Sequence, residues 1–274
     1  SNANFRITAA FTLTSPNGGE QWTVGSVHPI TWTNTGGVAN VKLEYSKDNF
    51  ATATVITAST PNSGSYSWTV PDAISGTVKV RVSDANDPDA KDLSDANFKI
   101  KSLIAVTSPN GGEQWNVASV QNVTWTHTGT VANVKLEYST DGFATPKLIT
   151  ASVANTNSYS WTVPDDISSA VRVRVQDASD ADASDTSNAT FKIQGVLALT
   201  APNGGEQWKI NTSRTITWST TGTVSSVKLE YSKDNFATAT VITASTPNSG
   251  SYSWTVPDAI SGTVKVRVSD ANDP

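Results

Sequence analysis

The chain has 274 residues, a net charge of −5, only 16% charged residues and no cysteine. No Lys/Arg cluster offers an electrostatic footprint for nucleic acid or an anionic membrane, no run of about 18 apolar residues can insert into a bilayer, and disulfides and thiolate metal sites are excluded. At about 100–150 residues per domain the length suggests two or three domains, and the abundance of Thr, Ser, Val, Asn and Asp favours strands over helices.

In chain order, Ser1-Asn2-Ala3 reads as an expression scar. Asn4-Phe5-Arg6-Ile7 stands 93 residues before Asn97-Phe98-Lys99-Ile100, so residues 4–10 are predicted to be the orphan last strand of a preceding repeat. Pro-Asn-Gly-Gly-Glu-Gln-Trp then occurs at 16–22, 109–115 and 202–208, a constant period of 93. Strands are predicted at Phe11–Thr14, Ile30–Thr33, Val41–Ser46, Thr54–Thr57, Tyr66–Val70, Val78–Ser83 and Phe98–Ile100. Val41, Leu43 and Tyr45 alternate with Lys42, Glu44 and Ser46, the period-two pattern of a strand with one wet face. About seven short antiparallel strands per repeat describe an all-β sandwich. The predicted repeats are 11–101, 102–194 and 195–274, the last lacking its final strand because Pro274 is equivalent to Pro88.

The joints carry no Gly/Pro/Ser linker: Phe98-Lys-Ile-Lys-Ser-Leu-Ile-Ala-Val106 runs from one repeat into the next, predicting a semi-rigid rod. Gly195 at the second joint predicts slightly more bending there. An orphan strand at one end and an open edge at the other invite head-to-tail strand complementation between chains, with a frayed N-terminus and a tolerated gap as the alternative. Residues 41–88 are identical to residues 227–274, which suggests exchange between repeats of an array of structural or adhesive type.

Pro-Asn-Gly-Gly-Glu-Gln-Trp, Ile30-Thr-Trp32, Val41-Lys-Leu-Glu-Tyr-Ser46, Ser65-Tyr-Ser-Trp-Thr-Val-Pro71 and Ser94-Asp-Ala-Asn-Phe-Lys-Ile100 together resemble the immunoglobulin-like domain of the fungal Ser/Thr-rich, GPI-anchored cell-wall family and its bacterial secreted relatives. The resemblance spans nearly the whole chain. It implies three tandem immunoglobulin/fibronectin-III-like antiparallel sandwiches and an extracellular or cell-surface location. Fungal members are associated with cell-wall β-glucan assembly, and the family supplies no catalytic motif to carry over; fold alone does not assign function.

Among individual residues, Trp32 and Trp68 read as core. Trp22, Trp115 and Trp208 follow a Gly-Gly turn and are the candidate carbohydrate-stacking residues, a plug at the end of the sandwich being the other reading. Asp84, Asp87, Asp89 and Asp92 recur as Asp177, Asp180, Asp182 and Asp185, predicted to lie in the loop before the last strand at the end where the chain enters the domain. Such carboxylates repel one another, so calcium is the candidate occupant and a solvated turn the alternative. Asp48 and Asp141 are expected to cap turns. Glu20, Glu113 and Glu206 have no second carboxylate placed opposite for glycoside hydrolysis. His28 aligns with Gln121 and Arg214, and His127 with Asn34 and Thr220, so no histidine recurs to serve a triad or a zinc site. The expected function is a non-catalytic spacer or adhesion stalk contacting cell-wall polysaccharide or a surface protein. A carbohydrate-binding accessory module is the alternative.

Overall fold

Residues 5–272 are described by a computed structural model, all strand and turn without a helix. The first repeat contains β1 (Ala10–Ser15), β2 (Gln21–Thr23), β3 (Val27–Thr35), β4 (Asn40–Ser46), β5 (Thr54–Pro61), β6 (Ser65–Thr69), β7 (Ser75–Asp84), β8 (Lys91–Leu93) and β9 (Phe98–Lys101). One sheet has the order β1-β3-β6; the other has β2-β9-β7-β4-β5, with β8 also paired to β7. Because alternate residues of a strand face opposite ways, Leu13, Ile30 and Trp32 from the first sheet meet Val41, Leu43, Val80, Phe98 and Ile100 from the second in a single buried core. The Trp32 indole N–H needs a partner inside that core, and Asn62 Oδ1 accepts it at 2.7 Å. Asn155 and Asn248 do the same for Trp125 and Trp218.

The second repeat repeats this plan with β10 (Leu103–Ser108), β11 (Gln114–Asn116), β12 (Val120–Thr128), β13 (Asn133–Ser139), β14 (Lys147–Ala154), β15 (Ser158–Thr162), β16 (Ser168–Asp177), β17 (Asp180–Thr186) and β18 (Phe191–Gln194). The third has β19 (Val196–Ala201), β20 (Ser213–Thr221), β21 (Ser226–Ser232), β22 (Thr240–Pro247), β23 (Ser251–Thr255) and β24 (Lys265–Asp270). Among the described residues it has no counterpart of β2 or β9, and β24 has 6 residues where β7 has 10. Of the orphan strand expected at 4–10, Asn4 lies outside the described residues. Residues 5–9 form no strand, since no neighbouring backbone pairs with them, and Ala10 opens β1.

The expectation of about seven strands is corrected to nine in each of the first two repeats. The additional strands are β2 and β8 and their counterparts. β2 is too short for its alternation to be visible, and what makes it a strand is parallel pairing with β9, with Trp22 opposite Ile100.

Across β4 and β7, Glu44 stands opposite Arg81. Arg81 Nη2 and Nε donate to Glu44 Oε2 at 2.7 and 3.1 Å, Lys42 Nζ lies 2.7 Å from Oε1, and the guanidinium covers the Phe50 ring at 4.3 Å. Burial opposes the charged form of Glu44, but Lys42 and Arg81 outweigh it and lower its pKa. The same arrangement joins Glu137, Arg174 and Phe143, and Glu230, Arg267 and Phe236. Asp48 caps the following turn, accepting the Thr52 N–H at 2.9 Å and the Ser46 hydroxyl at 2.7 Å.

Two stability effects are expected. Arg174→Met leaves the buried Glu137 carboxylate with Lys135 as its one remaining charge partner; thermal or denaturant melting should show a loss of roughly 1–3 kcal/mol, with Arg174→Lys falling between the two. Hydrogen bonds from Thr52 and Ser46 lower the pKa of Asp48, and those from Ser139 and Thr145, and from Ser232 and Thr238, lower Asp141 and Asp234, each from 3.8 to about 2. A depressed carboxylate contributes stability above its unfolded pKa and loses it as pH falls through the folded value. The urea midpoint should therefore decline from about pH 4 down to about pH 2, less steeply in Asp141→Asn.

Candidate functional site at the repeat joints

A single residue separates the last strand of one repeat from the first of the next: Ser102 between β9 and β10, and Gly195 between β18 and β19. Both positions are crowded. Ser102 is buried and its hydroxyl has no hydrogen-bond partner. A Cβ built on Gly195 would collide with Val224 Cγ2 and stand 3.3 Å from Ile167 Cδ1. The expected extra bending at Gly195 is therefore corrected: its missing side chain admits close packing between repeats two and three. At the first joint a Cβ on Gly129 would stand 2.9 Å from Val24 Cγ2 and 3.4 Å from Ile74 Cδ1; at the second, Gly222 lies against Val117 in the same way.

Two polar contacts flank this apolar centre. Asp72 accepts the Thr130 hydroxyl across the first joint, and Asp165 accepts both the hydroxyl and, at 2.8 Å, the N–H of Thr223 across the second. The Thr223 bonds, hydroxyl first, hold the pKa of Asp165 below the usual aspartate range. On the other side, Lys99 reaches from β9 to Asp180 and Asp182 in the second repeat, 2.6 Å from Asp182 Oδ2. Lys101 donates to the Asp182 carbonyl at 2.6 Å, and Gln21 to its carboxylate at 3.4 Å. Burial weakens the Lys99 charge, but Asp180 and Asp182 more than offset this and raise its pKa; the same Lys99 bond lowers that of Asp182. Arg6, 93 residues before Lys99, bonds to Asp87 and Asp89, 93 residues before Asp180 and Asp182.

The acidic residues lie at the end of the repeat facing its predecessor, as expected, but their carboxylates take separate protein partners. Asp84 accepts the Asn86 N–H at 2.9 Å, and Asp87 and Asp89 hold Arg6. Asp92 crosses to the other sheet and accepts the Leu13 N–H at 2.7 Å. Asp177 caps Ser179 at 2.9 Å, Asp180 and Asp182 hold Lys99, and Asp185 accepts the Val106 N–H at 2.7 Å. Asp180, Asp182 and Asp185 lie on β17 rather than in a loop, because the turn capped by Asp177 folds the segment back on β16. Among the described residues no three His, Asp or Glu side chains gather as a metal site. The mutual repulsion that suggested a cation is relieved by basic side chains about 80 positions earlier in the chain.

Trp22 and Trp115 are buried, packed on Phe98 and Phe191 with ring centroids at 5.0 and 4.9 Å, so neither presents a face to a sugar. Trp208 is half-buried beside Trp254. Glu20 closes the Pro-Asn-Gly-Gly turn by accepting the Asn17 and Gly18 N–H groups, each at 2.8 Å. Gly18 has φ 133°, and a Cβ on it would meet Ala96, so this turn demands glycine. His28 stacks on Trp22 at 4.5 Å, and His127 pairs with Asn157.

Sequence reasoning did not single out Lys99, Asp72, Thr130, Asp165 or Thr223. The recurrence of Asp72 as Asp165 and of Thr130 as Thr223 at the 93-residue period was the available signal. With every acidic side chain of the first two repeats' clusters engaged, the melting temperature is expected to be equal in chelator and in excess calcium. A rise in calcium that chelator reverses would show a bound ion.

Residues 15–93 match the family described as the Kre9/KNH-like N-terminal Ig-like domain. No curated protein matches the chain. Among solved structures, the fibronectin(III)-like modules of Clostridium thermocellum CbhA are 18% identical, with 73% of this chain and 99% of that one covered and a TM-score of 0.24. The N-terminal four Ig domains of Dscam1 isoform 9.44 are 11% identical over 98% of this chain and 71% of that one, at a TM-score of 0.32. From its paired sheets and the match over its first repeat, the chain is a tandem of immunoglobulin-like sandwiches.

Proposed function

We propose that the chain is a non-catalytic spacer within a secreted or cell-surface protein, setting the distance and angle between whatever lies on either side. The observation that carries this reading is the joint: one packed residue between consecutive sandwiches, an apolar contact at its centre and polar contacts on both flanks. A flexible tether needs a run of solvated residues between domains, and neither joint has one. The match of the first repeat to a Kre9/KNH-like Ig-like domain supports the secreted or surface setting.

Lys99 orients the joint, its pairs with part-buried Asp180 and with Asp182 lying at the margin of an apolar contact that supplies the strength. Small-angle scattering of the whole chain should give one narrow distribution of shapes. Lys99→Glu, which faces Asp180 and Asp182 with a like charge, should broaden it without lowering the melting temperature of the repeats. Adding Asp180→Lys and Asp182→Lys should narrow it again. Repeats that already reorient freely in the unaltered chain would refute the spacer reading.

A further inference from the structure

β7 carries a cationic groove on its solvent side. Val78, Val80 and Val82 of this strand fill the core, so Thr77, Lys79, Arg81 and Ser83 face away from it. Two cavities lie in line along these residues: one of about 420 Å³ against Thr77 and Lys79, rimmed by Lys47, Asn49 and Asn97, and one of about 270 Å³ against Arg81 and Ser83, rimmed by Lys42 and Lys91. Three carboxylates share the groove, and each is already engaged: Glu44 by Lys42 and Arg81, Asp48 by Ser46 and Thr52, and Asp84 by the Asn86 N–H. Lys47, Lys79 and Lys91 form no ion pair among the described residues. Five cations thus face three carboxylates, in a chain whose net charge is −5.

The groove is held open by a strained turn. Asn49 and Phe50 have φ of 56° and 65°, a conformation that a phenylalanine rarely adopts. Ser46 Oγ accepts the Phe50 N–H at 2.8 Å and Asp48 accepts the Thr52 N–H, which fixes the turn. Phe50 takes no part in the core; its ring supports the Arg81 guanidinium between the two cavities. A ligand therefore meets side chains that are already ordered. The smaller sheet of the same repeat, β1-β3-β6, carries no Lys, Arg, Asp or Glu, so between the two sheet faces only the β7 side can select a partner by charge. The second repeat has Thr140 and Ser184 at the positions of Lys47 and Lys91, and in the third Lys265, the equivalent of Lys79, is drawn onto Asn235 at 2.7 Å.

We propose that the β7 groove of the first repeat binds an acidic polysaccharide, whose acid groups meet Lys47, Lys79 and Lys91 and whose hydroxyls meet the Asn49 and Asn97 carboxamides. Charge complementarity carries the choice of partner, and the spacing narrows it. Unpaired ammonium groups at the two ends of the groove, with carboxamides beside them, suit a polymer that alternates acid groups with neutral hydroxyls. Duplex DNA presents about one negative charge per 1.7 Å, more than three separated lysines can match. A peptide would gain by adding a strand to a sheet edge, but β7 is paired on both sides, by β4 and by β8 and β9, and offers it no free backbone.

The whole chain, passed at low ionic strength over a biosensor coated with polygalacturonate, should bind and should dissociate as salt is raised. A dextran-coated surface, neutral but equally rich in hydroxyls, should retain nothing. Lys47→Glu with Lys79→Glu should weaken binding roughly tenfold, and Lys91→Glu should weaken it by a smaller factor. Lys209 and Arg214 are exposed and lie outside the groove, so Lys209→Glu with Arg214→Glu imposes the same change in net charge and should leave the affinity close to that of the unaltered chain. The melting temperatures of all three variants should match, since none of the altered side chains forms an ion pair. Absence of binding at low salt, equal retention on dextran, an equal loss in the Lys209→Glu, Arg214→Glu variant, or tighter binding to poly-L-glutamate or single-stranded DNA than to polygalacturonate would each overturn the proposal.

Discussion

The last strand of a repeat serves two sandwiches at once. Alternate side chains of β9 point to opposite faces: Phe98 and Ile100 close the core of their own repeat, and Lys99 between them reaches the acidic side chains of the next. Closure of one core and placement of the following repeat therefore depend on the same four residues, and any change that displaces β9 disturbs both.

The two roles differ in magnitude. Burying side chains the size of Phe and Ile contributes about 1.5–3 kcal/mol each, and β9 buries both Phe98 and Ile100, whereas Lys99 makes two partly solvated ion pairs of smaller worth. The apolar face of β9 decides whether the strand stays in place, and its basic face decides what it points at. The joint follows the same division, with Val24, Ile74 and Gly129 in apolar contact at its centre and the Thr130 and Lys99 bonds at its margins. Geometry is set by weak directional contacts around a stronger non-directional one.

Repeats and long strands were legible in the sequence because their signals are local: a motif returning every 93 residues, and alternation over five or more positions. What was not legible depends on distant partners. Gln21-Trp22-Thr23 carries one apolar residue and becomes a strand through pairing with residues 99–101, which also buries Trp22 and removes it as a sugar platform. The acidic clusters were legible, but their counter-charge comes from Arg6 and Lys99, about 80 positions away, which is why sequence alone left calcium and a solvated turn both open. From composition Gly195 suggests slightly more bending, and in the structure it makes a close contact, because the space around a glycine is invisible until its neighbours are placed.

The direction of β2 has a mechanical consequence. A repeat begins at β1, continues into β2 and leaves through β9, and β2 and β9 run parallel to each other. When the two ends of a repeat are pulled apart, β2 is drawn backward and β9 forward, so the two slide along their common axis. The hydrogen bonds between them are loaded together, in shear, instead of being peeled one at a time, and β9 passes the load to β10 through a single packed residue.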